Sequence, residues 1–255
     1  MKTALIQFDT IWEDKQANLE YVQDKILNLP NAVDLVVLPE MFTTGFTMTP
    51  EIVAEDEIGK TFQIIQKLAV DKQTAIIGSW VVKQENNYYN RLFFVFSDGS
   101  YQTYNKRHLF TLAGEEKVYT PGNEKLIVSY KNWNICLLVC YDLRFPVYSR
   151  IVNTNYDLLV YVASWPNRRI DAWDALLKAR AIENMSYVVA VNRCGTDLNG
   201  VEYSGHSQVI DFMGKNIVEP LIEDQIEIIK LEKDPLRTAR QKFAFLNDAD
   251  NFKIL

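Results

Sequence analysis

The chain has 255 residues, 48% of them hydrophobic, with 33 acidic against 27 basic side chains and a formal net charge of −6. That length accommodates a large core and fits one α/β domain over residues 1–255 better than two. The acidic balance argues against nucleic acid or an anionic membrane surface as partner, and no apolar run is long enough to span a bilayer.

Residues 3–8 read as a strand that reaches Asp9 too soon for a signal peptide. Residues 14–29 place Leu19, Val22, Ile26 and Leu29 at helical spacing, with Pro30 closing the helix. A buried-type strand follows over 33–38, then a helix over 61–70 with Phe62, Ile65, Leu68 and Ala69 on one side. Strands are predicted over 74–80 and 90–96, a turn at Ser97-Asp98-Gly99-Ser100, and a short strand-like run over 101–106. Further strands read at 135–139 and 158–162, a helix at 172–185, a strand at 187–191 and more strands between 205 and 231. Alternating strands and helices with some hairpins imply a mixed sheet covered by helices. The chain shows no internal repeat, linker or low-complexity stretch. Three cysteines without a disulfide framework point to a reducing cytoplasm.

Three predicted strands end in chemistry. Leu35-Val36-Val37-Leu38-Pro39-Glu40 ends in a carboxylate behind a proline, Tyr101-Gln102-Thr103-Tyr104-Asn105-Lys106 in an ammonium, and Ile135-Cys136-Leu137-Leu138-Val139-Cys140 in a thiol. Ligands and catalytic groups gather at the C-terminal ends of strands in open α/β sheets. A thiolate is reactive where it is exposed near positive charge. Acid, cation and thiol together are what a thiol acyl-transfer enzyme without histidine requires.

Competing signatures are missing. There is no G-x-G-x-x-G, no G-x-x-x-x-G-K, no G-x-S-x-G, no C-x-x-C and no H-E-x-x-H. With two histidines only, a zinc site is not expected. His108 and His206 read as packed or hydrogen-bonded residues, although a Cys–His thiol hydrolase using one of them as base is the rival chemistry.

The segments Leu38-Pro39-Glu40-Met41-Phe42, Asn105-Lys106-Arg107-His108-Leu109-Phe110 and Cys140-Tyr141-Asp142-Leu143-Arg144-Phe145-Pro146 resemble, in order, the three signatures of the carbon–nitrogen hydrolase (nitrilase) superfamily. Trp165-Pro166, Ala179-Arg180-Ala181-Ile182-Glu183-Asn184, Asn192-Arg193 and Gly205-His206-Ser207 extend the likeness over essentially the whole chain. The resemblance implies a four-layer α-β-β-α sandwich. It also implies Cys140 as nucleophile, Glu40 as general acid–base, and Lys106 as oxyanion donor and the charge that lowers the thiol pKa, with no cofactor or metal. Many members carry a second glutamate between lysine and cysteine; Glu115, rather than Glu116, stands at that distance before Pro121-Gly122.

Within the superfamily the Cys140–Pro146 run, Ser164-Trp165-Pro166 and Arg180–Asn184 resemble the omega-amidase branch, which cleaves the terminal amide of 2-oxo dicarboxylic monoamides. Other amidases or N-carbamoyl amide hydrolases of the superfamily are the alternative. A small anionic amide needs a cation, for which Arg168 or Arg169 is available, and apolar walls, for which Phe46 and Trp165 are. The Tyr141 backbone N–H follows the nucleophile as a second oxyanion donor. Asp142, Arg144 and the Arg180–Glu183 pair read as buried ion-pair scaffolding. Family habit implies a homodimer, with Trp173, Leu176, Leu177 and Ala181 contributing to the contact.

Overall fold

Alternation along the first strand sets up the layers. In the computed structural model, which describes residues 1–152 and 156–253, β1 (Lys2–Gln7) turns Ala4 and Ile6 to one face and Leu5 to the other. The Ala4–Ile6 face, with Phe8, is covered by α1 (Lys15–Leu27) through Leu19, Val22 and Ile26. Asp14 caps that helix, its carboxylate accepting from the Ala17 N–H at 3.0 Å. Next come β2 (Leu35–Val37), the one-turn α2 (Pro50–Val53) and α3 (Lys60–Lys72), whose Phe62, Ile65, Leu68 and Ala69 lie on the same layer. The sheet is completed by β3 (Ala75–Gln84), β4 (Asn87–Val95) and β5 (Tyr101–Asn105). β2 pairs parallel with both β1 and β3, while β4 and β5 follow as antiparallel neighbours.

The second half repeats the plan. It runs through β6 (Leu126–Tyr130), β7 (Trp133–Val139), the short α4 (Pro146–Ser149), β8 (Leu158–Ala163), α5 (Ile170–Asn184) and β9 (Tyr187–Asn192). β10 (Cys194–Thr196) and β11 (Glu202–Ser204) form a separate hairpin, followed by β12 (Ser207–Ile210), β13 (Asn216–Leu221), β14 (Gln225–Lys230) and α6 (Lys233–Phe243). The strand order is β14-β1-β2-β3-β4-β5 in one sheet and β13-β12-β9-β8-β7-β6 in the other. β14 therefore leaves its chain neighbours and closes the edge of the first sheet against β1.

Leu5, Leu35, Val37, Ile77, Leu92 and Phe94 of the first sheet share one core with Ile135, Leu137, Val139 and Val160 of the second. Trp173, Leu177 and Ala181 of α5 and Leu236 of α6 belong to that same core. The result is the expected α-β-β-α sandwich. Apolar side chains on both faces of the central strands exclude water from two interfaces at once.

Three details depart from expectation. β3 and β4 are a long hairpin of ten and nine residues, extending past Trp80 and starting before Asn90. β6, the β10–β11 hairpin and α6 were not anticipated. Of the four α5 residues expected at a subunit contact, Trp173, Leu177 and Ala181 are fully buried in the chain's own core and have no surface left to share, while Leu176 is half-buried.

Candidate active site

Both sheets deliver their chemistry at strand ends. Glu40 follows β2 behind Pro39, and the next residue, Met41, has a left-handed backbone with φ 44°. Cys140 follows β7 and itself has φ 43°, at the start of a 3₁₀ turn over Cys140–Arg144. A non-glycine residue in that region costs free energy and persists only where its surroundings hold it. Asp142 does the holding. Its Oδ2 accepts the Val139 N–H at 3.0 Å and the Tyr104 hydroxyl at 2.7 Å, while Oδ1 accepts the His108 N–H at 3.0 Å and lies 2.7 Å from His108 Nδ1. Asp142, expected as buried scaffolding around the nucleophile, is buried and ties the cysteine turn to the segment that carries Lys106, its partner being His108.

Lys106 lies between two carboxylates. Its Nζ donates to Glu40 Oε1 at 2.9 Å and to Glu115 Oε2 and Oε1 at 2.9 and 3.0 Å. All three side chains are at most 1% exposed. Glu116, next in sequence, is exposed. Glu40 Oε2 accepts the Ser164 N–H at 2.8 Å from the far sheet, and Glu115 Oε2 accepts the Phe110 N–H at 2.6 Å. The Asn90 amide nitrogen donates to Glu40 Oε1 at 2.7 Å and reaches Glu115 Oε1 at 3.4 Å. Gly122 seals the loop behind Lys106. Its N–H donates to the Lys106 carbonyl at 2.9 Å, and a Cβ there would lie 2.2 Å from the Asn105 oxygen.

The electrostatics follow from burial and neighbours. Burial favours the neutral amine of Lys106, but Glu115 and Glu40 outweigh it and hold the ammonium above the ordinary lysine range. Burial pushes the Glu115 carboxyl up, against the pull of Lys106. The Cys140 thiol is pushed well above its usual range by burial and by the Glu40 carboxylate. Lys106 pulls it down, as expected, yet does not prevail, because desolvation of the thiolate and the Glu40 carboxylate act together. Both effects favour the neutral thiol beside Glu40.

Cys140 and Lys106 open into a cavity of about 220 Å³. Phe46, Met48, Phe110 and Trp165 supply apolar walls, and Tyr141 and Tyr203 also line it. Arg168 and Arg169 both face it, and so does Arg144. Arg144 was expected to be paired scaffolding. Instead its guanidinium lies 5.0 Å from the Trp165 ring, as that of Arg169 lies 4.9 Å from the Phe110 ring. Among the described residues none of the three forms an ion pair. Burial, then Arg168, lowers the Arg169 pKa. The cavity's acid, Asp197, is occupied by its own hairpin, accepting from the Asn199 and Val201 N–H groups and the Tyr203 hydroxyl. The Arg180–Glu183 pair is present at 3.2 Å.

Neither histidine lines the cavity. His108 stacks on Phe145 at 3.8 Å, and His206 Nδ1 pairs with Asp174 at 2.9 Å. No cluster of three or more His, Cys, Asp or Glu side chains suited to a metal occurs among the described residues. Sequence reasoning missed Asn90, Ser164 and Asn192. The last holds Trp165 in place by accepting its N–H at 2.7 Å and donating to its carbonyl at 2.9 Å. The one available signal was a polar residue ending an otherwise apolar strand, as at Asn192; Asn90 stands inside β4 beside Arg91.

Comparison with known proteins gives a consistent picture. The family described as carbon-nitrogen hydrolase matches residues 2–241. The chain is 41% identical over 257 residues to the omega-amidase YafV of Escherichia coli, covering 100% of this chain and 98% of that protein. It is 30% identical over 247 residues to the 2-oxoglutaramate amidase of Bacillus subtilis, covering 95% of each. Among solved structures, a CN-hydrolase superfamily protein from Xanthomonas campestris, with an arsenic adduct in its active site, superposes with a TM-score of 0.97. It is 39% identical, with 100% of this chain and 99% of that one covered.

Proposed function

The chain belongs to the carbon–nitrogen hydrolase family and is a hydrolase of carbon–nitrogen bonds; from that premise we propose that it is an omega-amidase with Cys140 as nucleophile. The substrate is a small 2-oxo dicarboxylic monoamide, and the products are the dicarboxylate and ammonia. One observation carries the reading. A thiol backed by a buried Glu40–Lys106–Glu115 cluster shares its cavity with three guanidinium groups that have no acidic partner among the described residues. Such a cavity is built for a short molecule with an amide at one end and anionic oxygen at the other.

The chemistry assigns each group a step. The Cys140 sulfur attacks the amide carbon while Glu40 takes the thiol proton. Lys106 and the Tyr141 N–H stabilise the oxygen of the tetrahedral intermediate. Glu40 returns the proton to the departing nitrogen, the C–N bond breaks and ammonia leaves a thioester. Water then attacks the thioester carbon, losing a proton to Glu40, and the C–S bond breaks as the thiol is re-formed. Glu115 keeps Lys106 charged and in place. Arg144, Arg168 and Arg169 hold the 2-oxo acid end between the walls of Phe46 and Trp165.

The reading extends to a cytoplasmic homodimer of one-domain subunits. Three free thiols support the reducing compartment, and the dimer contact lies elsewhere than Trp173, Leu177 and Ala181. Light scattering at micromolar concentration checks the mass. The test of function is ammonia release across 2-oxo monoamides, free glutamine and asparagine, nitriles and N-carbamoyl amino acids. The 2-oxo monoamides should give the highest kcat/KM. Preference for a neutral amide or an N-carbamoyl compound would overturn the assignment to this branch.

A further inference from the structure

Asn90 is 1% exposed in the middle of β4, and its backbone carbonyl accepts the Lys106 N–H at 3.0 Å. Its amide nitrogen is shared between the two carboxylates that flank Lys106, at 2.7 and 3.4 Å, while its Oδ1 is buried without a hydrogen-bond partner among the described residues. A buried acceptor left unpaired costs free energy, and a native protein keeps one where the group serves another end. Two carboxylates around one ammonium leave an excess negative charge in a dry site, and each additional donor to the charged forms relieves it.

We propose that Asn90 is a positioning residue of the amidase reaction: an uncharged spacer whose one amide nitrogen holds Glu40 and Glu115 apart around Lys106 and keeps Glu40 ready to accept the Cys140 proton. Asn90 does not line the cavity, so it acts through Glu40 and not on substrate. The groups facing Glu40 are Lys106 from the end of β5, Glu115 and Tyr119 from the following loop, and Cys140 from β7; Arg169 and Tyr203 face Cys140 from across the cavity. None of these replaces the Asn90 donor, since Tyr119 donates its hydroxyl to the Thr47 carbonyl at 2.9 Å.

This inference rests on the catalytic assignment above, so its test includes a readout that needs no substrate. In Asn90→Ala the charged form of Glu40 loses one of its donors, so the acid limb of Cys140 alkylation by iodoacetamide should move to higher pH. The acid limb of kcat/KM should move with it. At neutral pH kcat should fall by about tenfold to a hundredfold, the value of a hydrogen bond to a charged group, with KM little changed. Asn90→Asp, which adds a third carboxylate, should shift the limb further in the same direction. Folded Asn90→Ala with an unmoved acid limb, or with its whole loss in KM, overturns the proposal. If Asn90→Asp fails to fold, Asn90→Ala decides alone. Failure of the omega-amidase reading would show in the unaltered enzyme on the substrate panel, whereas failure of this inference shows only in the alkylation profiles.

Discussion

The floor and the rim of the cavity handle charge in opposite ways. On the floor, Lys106 has two acidic partners within 3.0 Å, and the cluster is buried. On the rim, Arg144, Arg168 and Arg169 are half-buried or exposed and have no acidic partner among the described residues. Buried charge survives only when compensated, so the floor is a fixed electrostatic arrangement suited to bond making and breaking. Uncompensated charge near solvent is available to a ligand. The difference teaches where turnover and recognition should separate: floor substitutions should lower kcat, and rim substitutions should raise KM.

The largest break comes from the proposed nucleophile. Cys140→Ala should remove activity by at least about 10⁴-fold, the scale on which loss of a covalent nucleophile is felt. Its fold should survive, because the Asp142 contacts to Val139 and His108 do not involve the thiol. Full activity in a folded Cys140→Ala protein would end the mechanism. Iodoacetamide should label Cys140 ahead of Cys136 and Cys194, because of the three only Cys140 lines the cavity, where Glu40 can take its proton.

Next come the remaining floor groups. Glu40→Gln keeps the shape and loses the proton acceptor, and kcat should fall by about 10² to 10⁴. Lys106→Ala should cost about 10² to 10³ through loss of an oxyanion donor, and Lys106→Arg should rescue little, since a planar fork cannot seat between Glu40 and Glu115. The sign for the thiol is fixed: Lys106 draws its pKa down, so Lys106→Ala should move the midpoint of Cys140 alkylation to higher pH.

The rim gives a smaller and different effect. Arg144→Ala, Arg168→Ala and Arg169→Ala should each raise KM for a 2-oxo monoamide by about tenfold to a hundredfold, leaving turnover of a small neutral amide nearly unchanged. Equal losses on both substrates would erase the division between floor and rim.

The histidines should matter least. His108→Ala leaves Asp142 with one contact fewer and should lower the melting temperature more than kcat; His206→Ala should leave kcat close to that of the parent. A folded histidine variant as inactive as Glu40→Gln would restore the Cys–His mechanism.

Much of this molecule was legible from residue order. The α1 and α3 stripes and the buried-type strands carry strong local periodicity, and the carboxylate, ammonium and thiol each follow a recognisable strand end. α6 escaped because only Leu236 and Ala239 of its eleven residues are buried, too few for a 3.6-residue pattern to stand out. The β10–β11 hairpin escaped because three-residue strands carry no period at all.

What residue order alone determined is local: which segments bury a face, and which reactive side chains stand where a strand stops. Which charges share a partner was decided only by tertiary structure, because the contacts join residues far apart in the chain. Lys106 reaches back 66 positions to Glu40, and the Ser164 N–H reaches back 124. No local pattern records that Asp142 binds His108, that Arg144 faces the cavity, or that Asn90 lies between two glutamates. Hydrogen-bond and Coulomb energies depend on distance in space, and only the packing of the two sheets sets those distances.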